Sequence, residues 1–304
     1  MNKILVVGSI GLDSVETPFG KVKDIPGGSA TYFSMAASFF SPVNLVAIVG
    51  QDFPPQHIKY LQRKGIDTAG LVVSPGRTFR WKGKYEYDLN RAHTLDTQLN
   101  VFANFQPELP ADYRDSKFVF LANIDPELQL DVLQQAKKPK LVACDTMNFW
   151  IEKKKPALRR VIKQVDILFI NEAEIRQLTG QSNLVKATKI VFSWGAKIIV
   201  VKQGEYGALM FTKDFVFSAP GFPLEQVYDP TGAGDSFAGG FMGYLAKNGE
   251  LTEKRLRQAT IFGSVIASFN VEDFSFNRFR TLTGKEIRRR FKEFKNLSHF
   301  EESL

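Results

Sequence analysis

Two carboxylates, Asp229 and Asp235, bracket a glycine-rich turn in the string Asp229-Pro230-Thr231-Gly232-Ala233-Gly234-Asp235. Pro230 fixes φ and bars a helix at that point. Gly232 and Gly234 let the backbone turn sharply and approach a ligand with no Cβ in the way. Beyond Asp235, the apolar residues Phe237, Phe241, Tyr244 and Leu245 fall at helical spacing, and Asn248-Gly249 is a stop signal. The stretch therefore reads as a turn feeding a helix N-terminus, where free N–H groups and the positive dipole end attract an anion. Asp235 lies at that same end. A carboxylate beside bound phosphate is repelled unless it has a task, and taking the proton of an attacking hydroxyl is the obvious one. A lone Gly-x-Gly-Asp more often serves as a cap and a packing device, so the weight rests on the longer string.

The elements that must position this turn follow an alternating α/β rhythm. Residues 4–7 read as a buried strand that exits through Ser9-Ile10-Gly11-Leu12-Asp13. Pro26-Gly27-Gly28 precedes a helix that runs to Phe40. A strand at 43–49 and a helix at 55–64 follow. Residues 78–87 alternate loosely and are rich in aromatic and basic side chains, with a partner strand expected around 97–102. They break the βα rhythm and so should leave the main sheet. Strands at 118–121, 141–144, 166–170 and 197–201 then alternate with helices, and helices near 251–269 and 283–295 close the chain. Ligands of open α/β sheets bind beyond the carboxyl ends of the strands. Asp13, Asp145 and Asn148 stand at such exits. From position alone, Asp13 is a substrate group or a turn residue.

The string closely resembles the C-terminal signature D-T-x-G-A-G-D-x-F-x-x-G of the ribokinase-like (PfkB) carbohydrate kinase family, with Pro230 the one departure. The resemblance implies a three-layer α/β/α fold with a mostly parallel central sheet and a small β lid. The whole chain, 1–304, would be a single kinase domain, with lid segments at roughly 12–26 and 77–102. It implies Asp235 as the catalytic base and the Gly232, Ala233 and Gly234 amides as the anion hole. Asp13, Gly27 and Gly28 would hold the substrate, joined by Asn148, which is displaced from the family's D-x-N-x-R spacing. Asn171 and Glu174 match an N-x-x-E motif that organises Mg²⁺ and phosphate, Glu174 acting through water. The turn with Gly204 and Gly207 would lie along the nucleotide, together with Thr231. Lys202 stands where many members have Thr and would meet phosphate as a point charge. Asp229 matches a residue beside a monovalent cation, K⁺ being the candidate; read from its own position, it caps the turn equally well.

The activity implied is ATP-dependent phosphorylation of a hydroxyl. Phe79, Trp81, Tyr85 and Tyr87 could line a slot for a nucleoside base or form a lid–lid homodimer interface. The interface accounts for them without a base, so a sugar or sugar-like acceptor is preferred over a nucleoside, with Arg80, Asn90 and Asn148 as hydroxyl partners. A non-catalytic sugar or nucleotide sensor would have lost the base or the anion hole, and both are present.

Composition narrows the remaining classes. With 304 residues, 44% of them apolar, the chain can bury a large core. No run of 18 apolar residues suggests a membrane helix, and the N-terminal apolar run reads as a strand rather than a signal peptide. A single cysteine, Cys144, fits a reducing, cytoplasmic setting. The three histidines lack metal-ligand spacing. The net charge of +8 is dispersed, with short runs only at 153–155 and 288–290, so solvated helix faces explain it better than a nucleic-acid partner. A basic balance also draws phosphorylated ligands.

Overall fold

The protein is described here by a computed structural model covering residues 2–299. Met1 and residues 300–304, the two ends of the expected 1–304 domain, lie outside the described residues. In the first half of the chain, β1 (Ile4–Val7) is followed by β2 (Gly11–Thr17), β3 (Gly20–Gly27) and α1 (Ser29–Ala37). Then come β4 (Val43–Gly50), α2 (Pro55–Arg63), β5 (Ile66–Ser74), β6 (Phe79–Tyr85) and β7 (Ala92–Gln98). The α/β alternation continues with β8 (Phe118–Leu121), α3 (Pro126–Gln135), β9 (Leu141–Cys144), α4 (Asn148–Lys153) and α5 (Lys155–Ile162). After these come β10 (Ile167–Asn171), α6 (Glu172–Thr179), α7 (Leu184–Trp194), β11 (Ile198–Lys202), β12 (Ala208–Phe211) and β13 (Val216–Ala219). Four helices end the chain: α8 (Ala233–Asn248), α9 (Glu253–Asn270), α10 (Asn277–Thr281) and α11 (Gly284–Ser298).

Nine strands form one sheet in the order β13-β12-β11-β10-β9-β8-β1-β4-β5. Every pairing from β5 across to β11 is parallel; only β12 runs against the rest, pairing antiparallel with both β11 and β13. The central strands β1, β4, β8 and β9 are buried at every residue. That is why they read as unbroken apolar runs: helices cover both faces. The period of two divides them between two cores. Ile4 and Val6 join Phe118, Phe120 and Phe169 on the face packed by α1, α8 and α9. Leu5 and Val7 join Val119, Leu121 and Ile170 on the face packed by α5, α6 and α7.

The helix that follows the glycine-rich turn, α8, is held with little clearance. A Cβ on Gly239 would come within 2.4 Å of the Phe33 carbonyl oxygen of α1, and one on Gly240 within 2.8 Å of the Phe262 carbonyl oxygen of α9. Its residues from Ser236 to Ala246 are all buried.

The second sheet is a four-stranded lid in the order β3-β2-β6-β7. Its strands come from the two expected insertions. One boundary differs from the sequence reading. The antiparallel partner of β6 is Ala92–Gln98, whereas Asn100–Asn104 forms a 3-10 turn. The Asp88 carboxylate accepts the Asn90 amide at 3.2 Å, so the chain reverses within a few residues of Tyr85 and pairs at once.

Candidate active site

Because β1, β8, β9, β10 and β11 are parallel, their carboxyl ends lie along one edge of the sheet, and the residues that leave them face a common space. Asn123 follows β8, Asp145 follows β9, and Asn171 and Lys202 end β10 and β11, whereas Asp13, expected at the exit of β1, lies on the lid strand β2 that follows it. Lys202 Nζ reaches across β10 to Asp145 Oδ2 at 2.6 Å. Gln129 donates to the carbonyls of Ala122 (2.9 Å) and Asp145 (3.1 Å), fixing the exits of β8 and β9 relative to each other.

The glycine-rich turn closes onto this edge. Gly232 is left-handed, with φ 75°, and a Cβ there would come within 2.3 Å of the Tyr32 ring. Only glycine satisfies both demands. Helix α8 starts at Ala233. The Ala233 amide donates to the Pro230 carbonyl at 3.1 Å and the Ser236 amide to Gly232 at 2.8 Å. The Gly234 and Asp235 amides lie between them in the first turn, where a helix offers no internal acceptor. Asn270 braces the turn from α9, donating to the Thr231 carbonyl at 2.8 Å and accepting from the Ser236 hydroxyl at 3.0 Å.

Asp235, half-buried, shares Lys202 with Asp145 and Glu174. Burial, reinforced by Asp145 and opposed by Lys202, pushes the Asp235 carboxyl up to about 7. Burial likewise pushes Glu174 up to about 7, Lys202 again opposing. Glu174 and Asn171 form a capping box at the start of α6: the Glu174 amide donates to Asn171 Oδ1 at 2.8 Å, and the Asn171 amide to Glu174 Oε2 at 2.9 Å. The cap explains this pair locally and commits only one Glu174 oxygen, while the Lys202 charge acts on the carboxyl from nearby.

Asp13 is 3% exposed, and its Oδ1 has no hydrogen-bond partner. A Cβ on Gly27 would come within 1.9 Å of Asp13 Oδ2, so the carboxylate rests directly on that glycine. Burial, with Asp229 nearby, pushes Asp13 up to about 8. Asp229 is fully buried, and both of its oxygens accept backbone amides, from Thr231 at 2.9 Å and Ser275 at 3.2 Å.

The lid lies down on these groups at three points. Tyr85, 7% exposed, places its hydroxyl 3.3 Å from Thr231 Oγ1. Arg80 pairs with Asp24 of β3 and, at 2.8 Å, with Asp52 beyond β4. Asn90, at the β6–β7 tip, bonds Glu205 in the Gly204–Gly207 turn. Of the aromatics expected to share one role, Tyr85 is buried, Trp81 is half-buried across Gly83, and Tyr87 is exposed. Asn148 begins α4 with its side chain exposed, apart from the Asp145–Lys202 pair.

The model of the pfkB family of carbohydrate kinases matches residues 1–278. The chain belongs to that family. It is a phosphotransferase with a hydroxyl acceptor, as are its named relatives. It is 30% identical over 258 residues to a cytidine kinase of Thermococcus kodakarensis, spanning 83% of this chain and 92% of that protein. A nucleoside kinase of Methanocaldococcus jannaschii is 29% identical over 294 residues, spanning 90% of this chain and 91% of that protein. Among solved structures, a Burkholderia thailandensis nucleoside kinase in complex with inosine superposes with a TM-score of 0.78 at 17% identity, covering 95% of this chain and 97% of that one. The fold is thus the ribokinase-like one that the sequence resembles. Among the described residues, no helix is long and apolar enough to cross a membrane.

Two groups at the site were not assigned a role from sequence. Asp145 was legible only as a strand-exit residue, and its partner could not be named. Trp150 donates to Asn123 Oδ1 at 3.0 Å, a contact with no local signature.

Proposed function

We propose that this kinase transfers the terminal phosphoryl group of ATP to a hydroxyl of a nucleoside. The sequence alone favoured a sugar because a lid–lid interface could absorb the lid aromatics. Tyr85 carries the reversal: it is buried against Thr231, beneath the lid, and so is withheld from any such interface. Arg80 and Asn90, the expected sugar-hydroxyl partners, already bond Asp24, Asp52 and Glu205. The names of the two relatives support the same order.

In this reading Asp13 Oδ1, buried and unsatisfied, accepts an acceptor hydroxyl. Asp235 takes the proton of the hydroxyl whose oxygen attacks phosphorus, and ADP leaves. The free amides of the α8 first turn and Lys202 face the negative charge on the transferred group. Asn171, Lys202, Gly204, Gly207 and Thr231 hold the nucleotide. Glu174 suits Mg²⁺ held through water, since one of its oxygens is committed to the cap. The metal, when bound, neutralises phosphate oxygens. Asp229 is a buried carboxylate with no ion pair among the described residues, which supports a K⁺ nearby, although two amides already bond it. Equal rates in K⁺ and in a bulky organic-cation buffer would remove that ion. The lid excludes water, and its exposed edge strand β7 is the surface through which a homodimer would form.

The test is ADP release from purified protein with Mg-ATP and K⁺ over a panel of nucleosides, monosaccharides, polyols and sugar acids. Cytidine or another nucleoside is expected to exceed every sugar by at least tenfold in kcat/KM. A sugar or polyol at the head of the panel would restore the sugar-kinase reading.

A further inference from the structure

Asn90 and Glu205 are 115 residues apart, one at the tip of the lid hairpin and the other in the turn after β11. They exchange two hydrogen bonds. Asn90 Nδ2 donates to Glu205 Oε1 at 2.9 Å, and the Glu205 amide donates to Asn90 Oδ1 at 3.2 Å. Asp88 orients the Asn90 side chain, accepting from Nδ2 at 3.2 Å. Gly204 makes room for it: a Cβ there would come within 2.0 Å of Asn90 Oδ1, and its φ of 59° is also one that favours glycine. The lid tip therefore rests on the backbone of the turn itself.

We infer that Asn90 is a positioning residue that couples closure of the lid to occupation of the Gly204–Gly207 turn by nucleotide. The inference rests on the reading of that turn as nucleotide-binding. Both partners are exposed, so the pair adds little to global stability. Its effect falls on the balance between a docked and a lifted lid. A nucleotide that orders the turn fixes the Glu205 amide and carboxylate, which favours the docked lid. By reciprocity, a lid held down over an acceptor raises nucleotide affinity by the same factor. Tyr85 on Thr231 and Arg80 on Asp52 anchor the lid to other segments, so Asn90 is the contact through which this turn addresses it.

The experiment is amide hydrogen exchange of the full chain with and without Mg-ADP, which needs no acceptor. In the wild type, Mg-ADP should slow exchange at residues 80–98 by about fivefold or more, the lower end of ordinary coupling. Asn90→Ala should still bind Mg-ADP but lose that protection. Asn90→Asp, which faces the Glu205 carboxylate, should lose it too. Adding Glu205→Gln and Asp88→Asn to Asn90→Asp reverses donor and acceptor at both contacts and should restore it, a rescue that a merely structural role would not give. The inference is overturned by Mg-ADP that protects residues 202–208 but not the lid, or by equal lid protection in Asn90→Ala. A nucleotide footprint that misses 202–208 overturns the underlying reading of the turn, and the inference with it.

Discussion

Lys202 is the one cation in a group of three carboxylates, and it takes its short contact, 2.6 Å, with Asp145 rather than with Asp235 or Glu174. Among the described residues the proposed base is thereby left without a direct ion pair, while a positive charge stays within reach of the α8 turn. A Cβ on Gly234 would come within 3.1 Å of Lys202 Nζ.

Replacing the proposed base isolates its chemical role. Asp235→Asn should fold as the wild type does and bind Mg-ADP with affinity changed by less than about threefold. Its turnover should fall by about 10²- to 10⁴-fold, the usual loss for a general base. Coupled ADP release beside calorimetric titration measures both quantities. Turnover within tenfold of wild type would assign the proton to another group.

The Asp145–Lys202 pair should be asymmetric. Lys202→Met leaves three carboxylates without their cation, and breaking a buried pair costs about 3–5 kcal/mol. The Lys202 side chain is 17% exposed, so about 3 kcal/mol is expected at pH 8, and less at pH 5, where Glu174 and Asp235 hold their protons. Asp145→Asn leaves Lys202 facing Glu174 and Asp235 and should cost less. The double variant should recover much of the stability but none of the nucleotide affinity. Denaturant unfolding at the two pH values checks the ordering.

The raised carboxyls set a pH dependence. Asp13 is raised from 3.8 to about 8, Glu174 from 4.5 to about 7, and Asp235 from 3.8 to about 7. Between about pH 4.5 and 7 the folded chain holds protons at these groups that the unfolded chain has lost. Stability of the unliganded protein should therefore fall as pH rises through that window. Each group contributes at most about 1.4 kcal/mol per pH unit. Thermal unfolding from pH 5 to 8 should follow this slope, and Asp235→Asn should flatten it. The same group gives kcat/KM an acid limb near pH 7, because the base must be ionised in the free enzyme.

Two glycines of the turn should separate folding from activity. Gly232→Ala forces a side chain into the Tyr32 ring at a left-handed φ, so both the melting temperature and the activity should drop. Gly234→Ala meets the far end of the Lys202 side chain, which need give by only a few tenths of an ångström against its Asp145 bond, so the melting temperature should fall less than in Gly232→Ala while nucleotide affinity falls at least severalfold. Thermal shift paired with ADP titration distinguishes the two.

The turn and the strand exits were legible because their cause is local. Pro230, Gly232 and Gly234 force backbone geometry by themselves, and a buried parallel strand must be apolar at every residue. What stayed hidden depends on register. That Lys202 meets Asp145 requires the order β11-β10-β9, which neither segment encodes alone. Strand β7 was misplaced because all of its residues are exposed, which leaves no apolar alternation to find. Edge strand β5 passed unnoticed for a related reason, having only Ile66 and Gly70 buried. Asn90 was assigned to the acceptor because an asparagine at a hairpin tip has the same composition whichever way it faces.

The two close backbone approaches on α8 limit how this enzyme can diversify. Asp235 stands on a rod wedged between α1 and α9, where even one added methyl group would strike a carbonyl oxygen. A substitution along that rod shifts Asp235 or unfolds its support, so variation there is closed off. The exposed positions of the lid, all of strand β7 among them, carry no such constraint. A lineage built on this scaffold would be expected to change what it phosphorylates by rewriting those positions, while the axle that carries Asp235 stays as it is.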